Sequence, residues 1–146
     1  MNATEIARDL IMRFEGCHKL KDGLIYPYLC PAGVPTQGWG VVVKSMDVPP
    51  ITKEQADAQL EAILPVYQLA ALKLCPVLVD HPKRLAAITD FVFNLGSGRL
   101  RSSTLRRRVN QQDWEAARGE IVKWNRGGGR ILRGLVLRRE AEAALL

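Results

Sequence analysis

Cysteine, histidine, aromatic residues and long apolar runs are all scarce in this chain. Its three cysteines, Cys17, Cys30 and Cys75, are an odd number with no CxxC pair, which argues against a disulfide framework and against a zinc site. Neither His18 nor His81 has metal-ligand spacing to a cysteine, so no metal and no cofactor is expected. His18 reads as a solvated loop residue and His81 as a helix-entry residue. No apolar run approaches the ~20 residues that cross a bilayer. The opening Met1-Asn2-Ala3-Thr4-Glu5 has no basic region leading into an apolar one, so no secretory signal is read there. Action outside the cytoplasm would then require another component to release the protein. Internal repeats and low-complexity linkers are absent as well.

What is present fits one domain. The chain has 146 residues, 47% of them hydrophobic and 25% charged, enough for a real core and ordinary for a globular protein. Acidic residues are the minority, 15 against 21 basic ones, giving a net charge of +6. An excess of that sign suits a polyanionic partner: nucleic acid, an anionic membrane face or an acidic wall polymer. Charge alone does not choose among them.

Asn2 with Glu5 reads as a capping box, and Ile6, Leu10, Ile11 and Phe14 follow as one apolar face. Gly16 ends this helix, so Glu15 sits at the negative end of the helix dipole beside Phe14, a setting that disfavours its ionised form. Position alone equally allows a frayed surface glutamate. From Lys21 to Val43 the signals change to turns and β-branched residues, with Asp22-Gly23 and Pro31 to Gly33 as turns. A small antiparallel sheet of two or three strands is expected, with glycines where backbone approaches backbone or ligand.

Thr52 and Gln55 form a second capping box ahead of a long apolar-periodic stretch to Leu74, in which Pro65 should kink or break the helix. Asp80-His81-Pro82 enters a nearly all-round apolar helix ended by Gly96. A short helix begins at Ser102 or Ser103 and ends near Asn110. Asp113 caps another through Trp124, Gly127 to Gly129 break the chain, and a last helix runs from about Leu132 to Leu145.

The densest cluster of chemistry lies between Phe14 and Gly40. Phe14-Glu15-Gly16, Tyr28-Leu29-Cys30 and Gly33-Val34-Pro35-Thr36-Gln37-Gly38-Trp39-Gly40 follow one another there. Further on stand Phe91-Val92-Phe93-Asn94-Leu95-Gly96, Ser103-Thr104-Leu105 with Asn110, and Trp124 with Gly128-Gly129, Gly134-Leu135 and Arg138-Arg139-Glu140. In this order, over almost the whole chain, they resemble the phage-type lysozymes, the endolysins of glycoside hydrolase family 24. The first group is similar to that family's E-G, Y-x-D and G-x-x-T-x-G-x-G signature.

The resemblance implies a predominantly α, α+β, lysozyme-like fold of two lobes. The small β-containing lobe would cover about 16–50, a linking helix about 53–74, and the helical lobe about 80–146 together with the N-terminal helix. It implies hydrolysis of the bond between N-acetylmuramic acid and N-acetylglucosamine in peptidoglycan glycan strands. Carried over by position, Glu15 is the general acid, Cys30 stands where the family has an aspartate, and Thr36 is the hydroxyl that positions water or the neighbouring group. Gln37, Asn94 and Trp124 are candidate substrate contacts, with Asn94 able to bond an acetamido group. Trp39 and Trp124 could stack on sugars, although each is more often core at such spacing. Arg138 and Arg139 read as braces.

Two departures accompany the match. Cys30 replaces a carboxylate six positions before Thr36 (36 − 30 = 6), and it lies 15 positions after Glu15, more than the family pattern leads one to expect. The added length falls between Lys21 and Pro27, where Asp22 is the alternative carboxylate. A thiol near its usual pKa of about 8.5 is mostly neutral at pH 7. Cys30 is therefore a nucleophile, a water-ordering base beside Thr36, a redox switch with Cys17 as possible disulfide partner, or a plain buried residue in a dead site. Cys75 reads as a buried helix residue.

The rival classes are a basic, helical nucleic-acid-binding module and a catalytically dead glycan-binding relative. The arginines of the last third, Arg99, Arg101, Arg106, Arg107 and Arg108 among them, are a solvated face or an attraction to lipopolysaccharide or an anionic membrane. The enzyme reading expects a monomer made in the cytoplasm, released through a holin-like pore and acting in the periplasm, with no nucleic acid involved.

Overall fold

Asn2 and Glu5 fix the start of the first helix by reciprocal bonds. The Glu5 N–H donates to Asn2 Oδ1 at 2.9 Å and the Asn2 N–H to Glu5 Oε2 at 3.0 Å. The chain is described here from a computed structural model covering residues 1–16 and 20–146; the expectations for Cys17 and His18 lie outside the described residues. Helix α1 spans Ala3–Glu15, and Gly16 leaves it at φ 65°, the left-handed conformation that glycine adopts without a Cβ penalty. Glu15 is therefore the last helical residue, as expected.

Strands β1 (Leu20–Lys21) and β2 (Leu24–Ile25) form a hairpin. Its turn residues Asp22 and Gly23 both have positive φ, 53° and 77°, the pattern of a turn whose twist suits two strands. Strands β3 (Tyr28–Leu29), β4 (Pro35–Gln37) and β5 (Val41–Val42) make a separate antiparallel sheet in that order. The expected single sheet is thus two. Ile25 and Ile51 exchange backbone bonds of 2.7 and 2.9 Å beside them.

Helix α2, Lys53–Leu74, starts at the second capping box, where the Gln55 N–H donates to Thr52 Oγ1 and the Thr52 N–H to Gln55 Oε1. Pro65 does not break it; a continuous 22-residue helix carries the proline inside. The chain divides into two compact units at that proline. One is Ile11–Pro65; the other joins Met1–Leu10 with Val66–Leu146. The first buries Ile11, Ile25, Ala56, Leu60 and Leu64.

In the second unit a 3-10 turn, Pro76–Asp80, leads into α3, Pro82–Leu95, with proline in its first turn. Every residue from Leu85 to Val92 is buried. Helix α4 (Ser97–Arg101) follows at once and was not expected from the sequence. Helix α5 (Thr104–Asn110) is capped by Ser103, whose hydroxyl accepts from the Arg106 N–H at 3.0 Å. Helix α6 is Trp114–Ile121, capped by Asp113 and ending before Trp124 rather than at it. The glycines that looked like a chain break instead turn a hairpin, β6 (Arg126–Gly127) with β7 (Arg130–Ile131). Gly128 and Gly129 take φ of 60° and 80° there. Helix α7, Arg133–Ala143, closes the chain. With 59% helix and three small antiparallel sheets among the described residues, the class is α+β and predominantly α.

The α3 helix looked almost wholly apolar, yet it buries an acid. Asp90 is fully buried and receives two bonds from Arg138, Nε to Oδ2 at 2.9 Å and Nη2 to Oδ1 at 2.7 Å. The neighbouring Arg139, also fully buried, donates through Nη2 to Glu142 Oε1 at 2.7 Å and to Asn94 Oδ1 at 2.8 Å. Its guanidinium lies 5.2 Å from the centre of the Phe91 ring. Two charged layers thus join α7 to α3 inside the core. Burial, and then the Asp90 carboxylate, push the Glu142 pKa well above the ordinary glutamate value, against the pull of Arg139. That shift favours the protonated carboxyl of Glu142.

A folded-state pKa raised above the unfolded one makes ionisation of Glu142 favour the unfolded chain, so this contribution to stability declines as pH rises above about 4.3. Glu142→Gln keeps an acceptor for Arg139 and a donor for Asp90 without the titration. Urea unfolding is expected to find it at least as stable as wild type at pH 7, with a flatter dependence on pH between 5 and 8.

Candidate active site

Antiparallel register decides which side chains meet. Tyr28 pairs with Thr36 and Leu29 with Pro35, so Cys30, two positions beyond Tyr28, shares a strand face with Thr36 as its diagonal neighbour. The turn between them, Pro31 to Gly33, is closed by Cys30 N–H to Val34 O at 3.0 Å and Gly33 N–H to Cys30 O at 2.8 Å. Gly33 has φ 78°. This tight turn also points N–H groups at the Cys30 sulfur. The Val34 amide chiefly, with the amides of Ala32 and Gly33 and the Thr36 hydroxyl, holds the thiol below its ordinary pKa, while slight burial opposes them. Thr36 is buried, at 4% exposure, and its hydroxyl lies 2.9 Å from Val34 O. By contrast the Cys75 thiol is pushed up to about 11 by burial in the helical core; it is buried as expected, but it stands just after α2 rather than within a helix.

The acid reaches the same sheet by a different route. Gly40, in the β4–β5 connection, has φ 86°, and a Cβ built on it would stand 2.7 Å from Glu15 Oε2 and 2.8 Å from Glu15 Cδ. The carboxyl of the last α1 residue therefore rests directly on the glycine backbone. Gly38 is set the same way against α2, where a Cβ would meet Ala56 Cβ at 3.1 Å. Between them the Trp39 indole N–H donates to Asp57 Oδ1 at 2.7 Å, fastening the turn to α2. Glu15, Cys30 and Thr36 all belong to the Ile11–Pro65 unit. Asp22, the alternative carboxylate, is exposed at the hairpin tip.

Gln37 needs correcting. It is 2% exposed, its Nε2 donates to Ile25 O at 3.2 Å and Pro49 O at 3.1 Å, and its Oε1 accepts from Gln59 at 3.4 Å. With every polar atom engaged inside the unit, it braces the sheet and has nothing to offer a substrate. Trp124 is corrected in the same sense: its ring meets Phe91 edge-on at 5.6 Å and packs on the helical core. Asn94, at the end of α3, is half-buried, and Arg139 holds its Oδ1, which fixes which way its NH₂ group points.

What sequence reasoning missed were the partners around the site, Gly40 under Glu15 and Asp57 on Trp39, and, in the other unit, the Asp90–Arg138 pair. The Gly38-Trp39-Gly40 spacing carried the signal for the first, since alternate glycines mark close approach.

The family model for Phage lysozyme matches residues 12–142. The chain belongs to the phage lysozyme family. It is 35% identical over 150 residues to an endolysin of Acyrthosiphon pisum secondary endosymbiont phage 1, covering 99% of this chain and 97% of that one. It is 32% identical over 148 residues to the endolysin of Bacillus phage B103, where the match spans 99% of this chain but 54% of the relative's length. Among solved structures, the endolysin from Escherichia coli O157:H7 phage FAHEc1 superposes with a TM-score of 0.78 at 27% identity, covering 99% of this chain and 92% of that one. Membership of the phage lysozyme family makes the chain a glycoside hydrolase of lysozyme type and its fold lysozyme-like.

Two substitutions separate positioning from packing. Gly40→Ala places a methyl group where the Glu15 carboxyl rests, and peptidoglycan clearing is expected to fall about 100-fold, the cost of a catalytic group displaced by about 1 Å. Gln37→Leu leaves the Pro49 carbonyl without its Gln37 donor and the Ile25 carbonyl with the Ile51 N–H alone. It should lose about 1–3 kcal/mol in urea unfolding while the KM for soluble wall fragments stays at the wild-type value.

Proposed function

We propose that this chain is a peptidoglycan muramidase that cleaves between N-acetylmuramic acid and N-acetylglucosamine, with Glu15 as proton donor and Cys30 and Thr36 as its partners. The observation that carries the reading is the seating of the Glu15 carboxyl on Gly40, beside the sheet whose register, Tyr28 opposite Thr36, puts Cys30 on the same face as Thr36. Glu15 gives its proton to the glycosidic oxygen as the bond to the anomeric carbon breaks. The positive charge that develops on the sugar needs an anion opposite, the role of the second carboxylate in most glycosidases.

Here the anion is the Cys30 thiolate. The amides of the turn and the Thr36 hydroxyl favour that form, so its share at neutral pH exceeds that of an ordinary thiol. Either the sulfur attacks the anomeric carbon and water, giving its proton to the Glu15 carboxylate, later displaces it, or the thiolate takes the proton of an attacking water that the Thr36 oxygen helps to orient. Asn94, its NH₂ oriented by Arg139, donates to an acetamido carbonyl of the substrate. The enzyme works as a monomer in the periplasm, after release from the cytoplasm through a holin-like pore. No helix of the described residues is long and apolar enough to cross a membrane. The nucleic-acid-binding and dead-relative readings have no observation in their favour.

Clearing of purified peptidoglycan by variants tests the assignment. Glu15→Gln is expected to lose about 10²- to 10⁴-fold and Cys30→Ser to lose most activity, while Asp22→Asn stays at the wild-type level. Full activity of Cys30→Ser would make the sulfur a bystander; loss in Asp22→Asn would move the second role to the hairpin. Because the thiolate is the working form, wild-type activity should climb with pH through a midpoint below about 8.5. Cys30→Asp should keep activity and move that rising limb down toward the carboxylate range near 4. A Cys30→Asp limb that does not move, or full lysis after iodoacetamide treatment, would contradict it.

A further inference from the structure

Arginine is distributed unevenly along the chain. From Phe91 to Gln112 there is no aspartate or glutamate, yet Arg99, Arg101, Arg106, Arg107 and Arg108 all fall there. Three of these five meet at one place. An open groove of about 680 Å³ is lined by Arg101, Ser102, Ser103, Arg106, Arg107 and Asn110 along α4 and α5. It lies in the Val66–Leu146 part of the chain, whereas Glu15 and Cys30 belong to the other unit. No carboxylate lines it.

The lining is built rather than loose. Arg106 donates through Nε to Leu74 O at 2.8 Å and through Nη1 to Arg101 O at 3.3 Å, so its guanidinium is fixed before any ligand arrives. Arg107 is steadied by Thr104 Oγ1 at 3.0 Å. Asn110 donates its Nδ2 to Leu74 O at 2.9 Å, which settles the orientation of its amide, and its buried Oδ1 accepts from no described residue. The groove thus combines oriented guanidinium donors for an oxyanion with an amide oxygen that calls for a hydroxyl or N–H donor. Guanidinium forks match tetrahedral oxyanions; an unpaired acceptor beside them matches a neighbouring sugar hydroxyl.

We propose that the α4–α5 groove is a second ligand site, for a phosphorylated sugar unit of a cell-envelope glycan. A volume of about 680 Å³ takes a hexose phosphate with room to spare. Binding there would hold the protein to the envelope by a polymer other than the strand it cuts. The inference rests on this groove alone and stands whatever happens to Glu15, because its readout is binding and not cleavage.

Glucose 1-phosphate is the probe, titrated into the full chain at low salt by calorimetry, with glucose and inorganic phosphate as references. Saturable binding of the sugar phosphate, tighter than either reference, is expected. Arg101→Gln and Arg107→Gln should each weaken it about tenfold. Arg99→Gln and Arg108→Gln, which remove the same charge outside the groove, should leave it nearly unchanged. Clearing of soluble peptidoglycan fragments by Arg101→Gln and Arg107→Gln should remain at the wild-type level. Displacement of the probe by purified lipopolysaccharide, lost when its phosphates are removed, would tie the site to the envelope. Binding weakened equally by all four substitutions would reduce the groove to unspecific attraction and overturn the proposal. So would a sugar phosphate that binds no better than phosphate, or displacement by phosphatidylglycerol vesicles but not by lipopolysaccharide.

Discussion

The approach of the Glu15 carboxyl to the backbone of Gly40 is the constraint around which the Ile11–Pro65 unit is arranged. A carboxyl 2.7 Å from where a Cβ would stand admits glycine and nothing larger, and the φ of 86° at that residue independently asks for glycine. Three elements must agree for the approach to exist. Gly16 has to stop α1 one residue after the acid, the β4–β5 turn has to carry a glycine at its end, and Trp39 has to hold that turn on α2 through Asp57. A glutamate at a helix end is ordinarily a solvated residue; this one is given a floor.

Opposite chemistry comes from a turn rather than from a second acid. The strand register puts Cys30 and Thr36 on one face, and the same turn that sets the register aims its amides at the sulfur. An anion stabilised by backbone N–H groups is cheap to keep, since those amides would otherwise need partners of their own. In the role we propose for Cys30, the environment that steadies the negative charge belongs to the backbone and does not depend on the side chain being a carboxylate. In the other unit, charge is handled the opposite way. Asp90, Arg138, Arg139 and Glu142 are withdrawn from water and paired with one another, with Arg139 Nε and Glu142 Oε2 left without a hydrogen-bond partner among the described residues, and burial favours the neutral form of Glu142.

How far the sequence could be read depended on whether the signal was local. Capping boxes at Asn2 and Thr52, the glycine after Glu15, the Asp22-Gly23 turn and the caps at Ser103 and Asp113 involve residues within three or four positions of each other, and each appears in the structure where the residues promised it. Failures occurred where distant chain decided the outcome. Gly127 to Gly129 could as well end a helix as turn a hairpin, and only the pairing of Arg126 with Ile131 distinguishes them. Gln37 looked available because nothing nearby in sequence engages it; Ile25, Pro49 and Gln59 do so from far along the chain. Asp90 was hidden in an apolar helix because its partner Arg138 lies 48 positions away.

The account stands or falls on whether Gly40 matters to catalysis through Glu15. A double-mutant cycle of Gly40→Ala and Glu15→Gln, read as kcat/KM on peptidoglycan, isolates that coupling. The account predicts that Gly40→Ala costs about 100-fold when Glu15 is present and almost nothing once Glu15 has become glutamine. An equal loss in both backgrounds would mean that the glycine serves only the sheet, and that the carboxyl resting on it is not the group doing the chemistry.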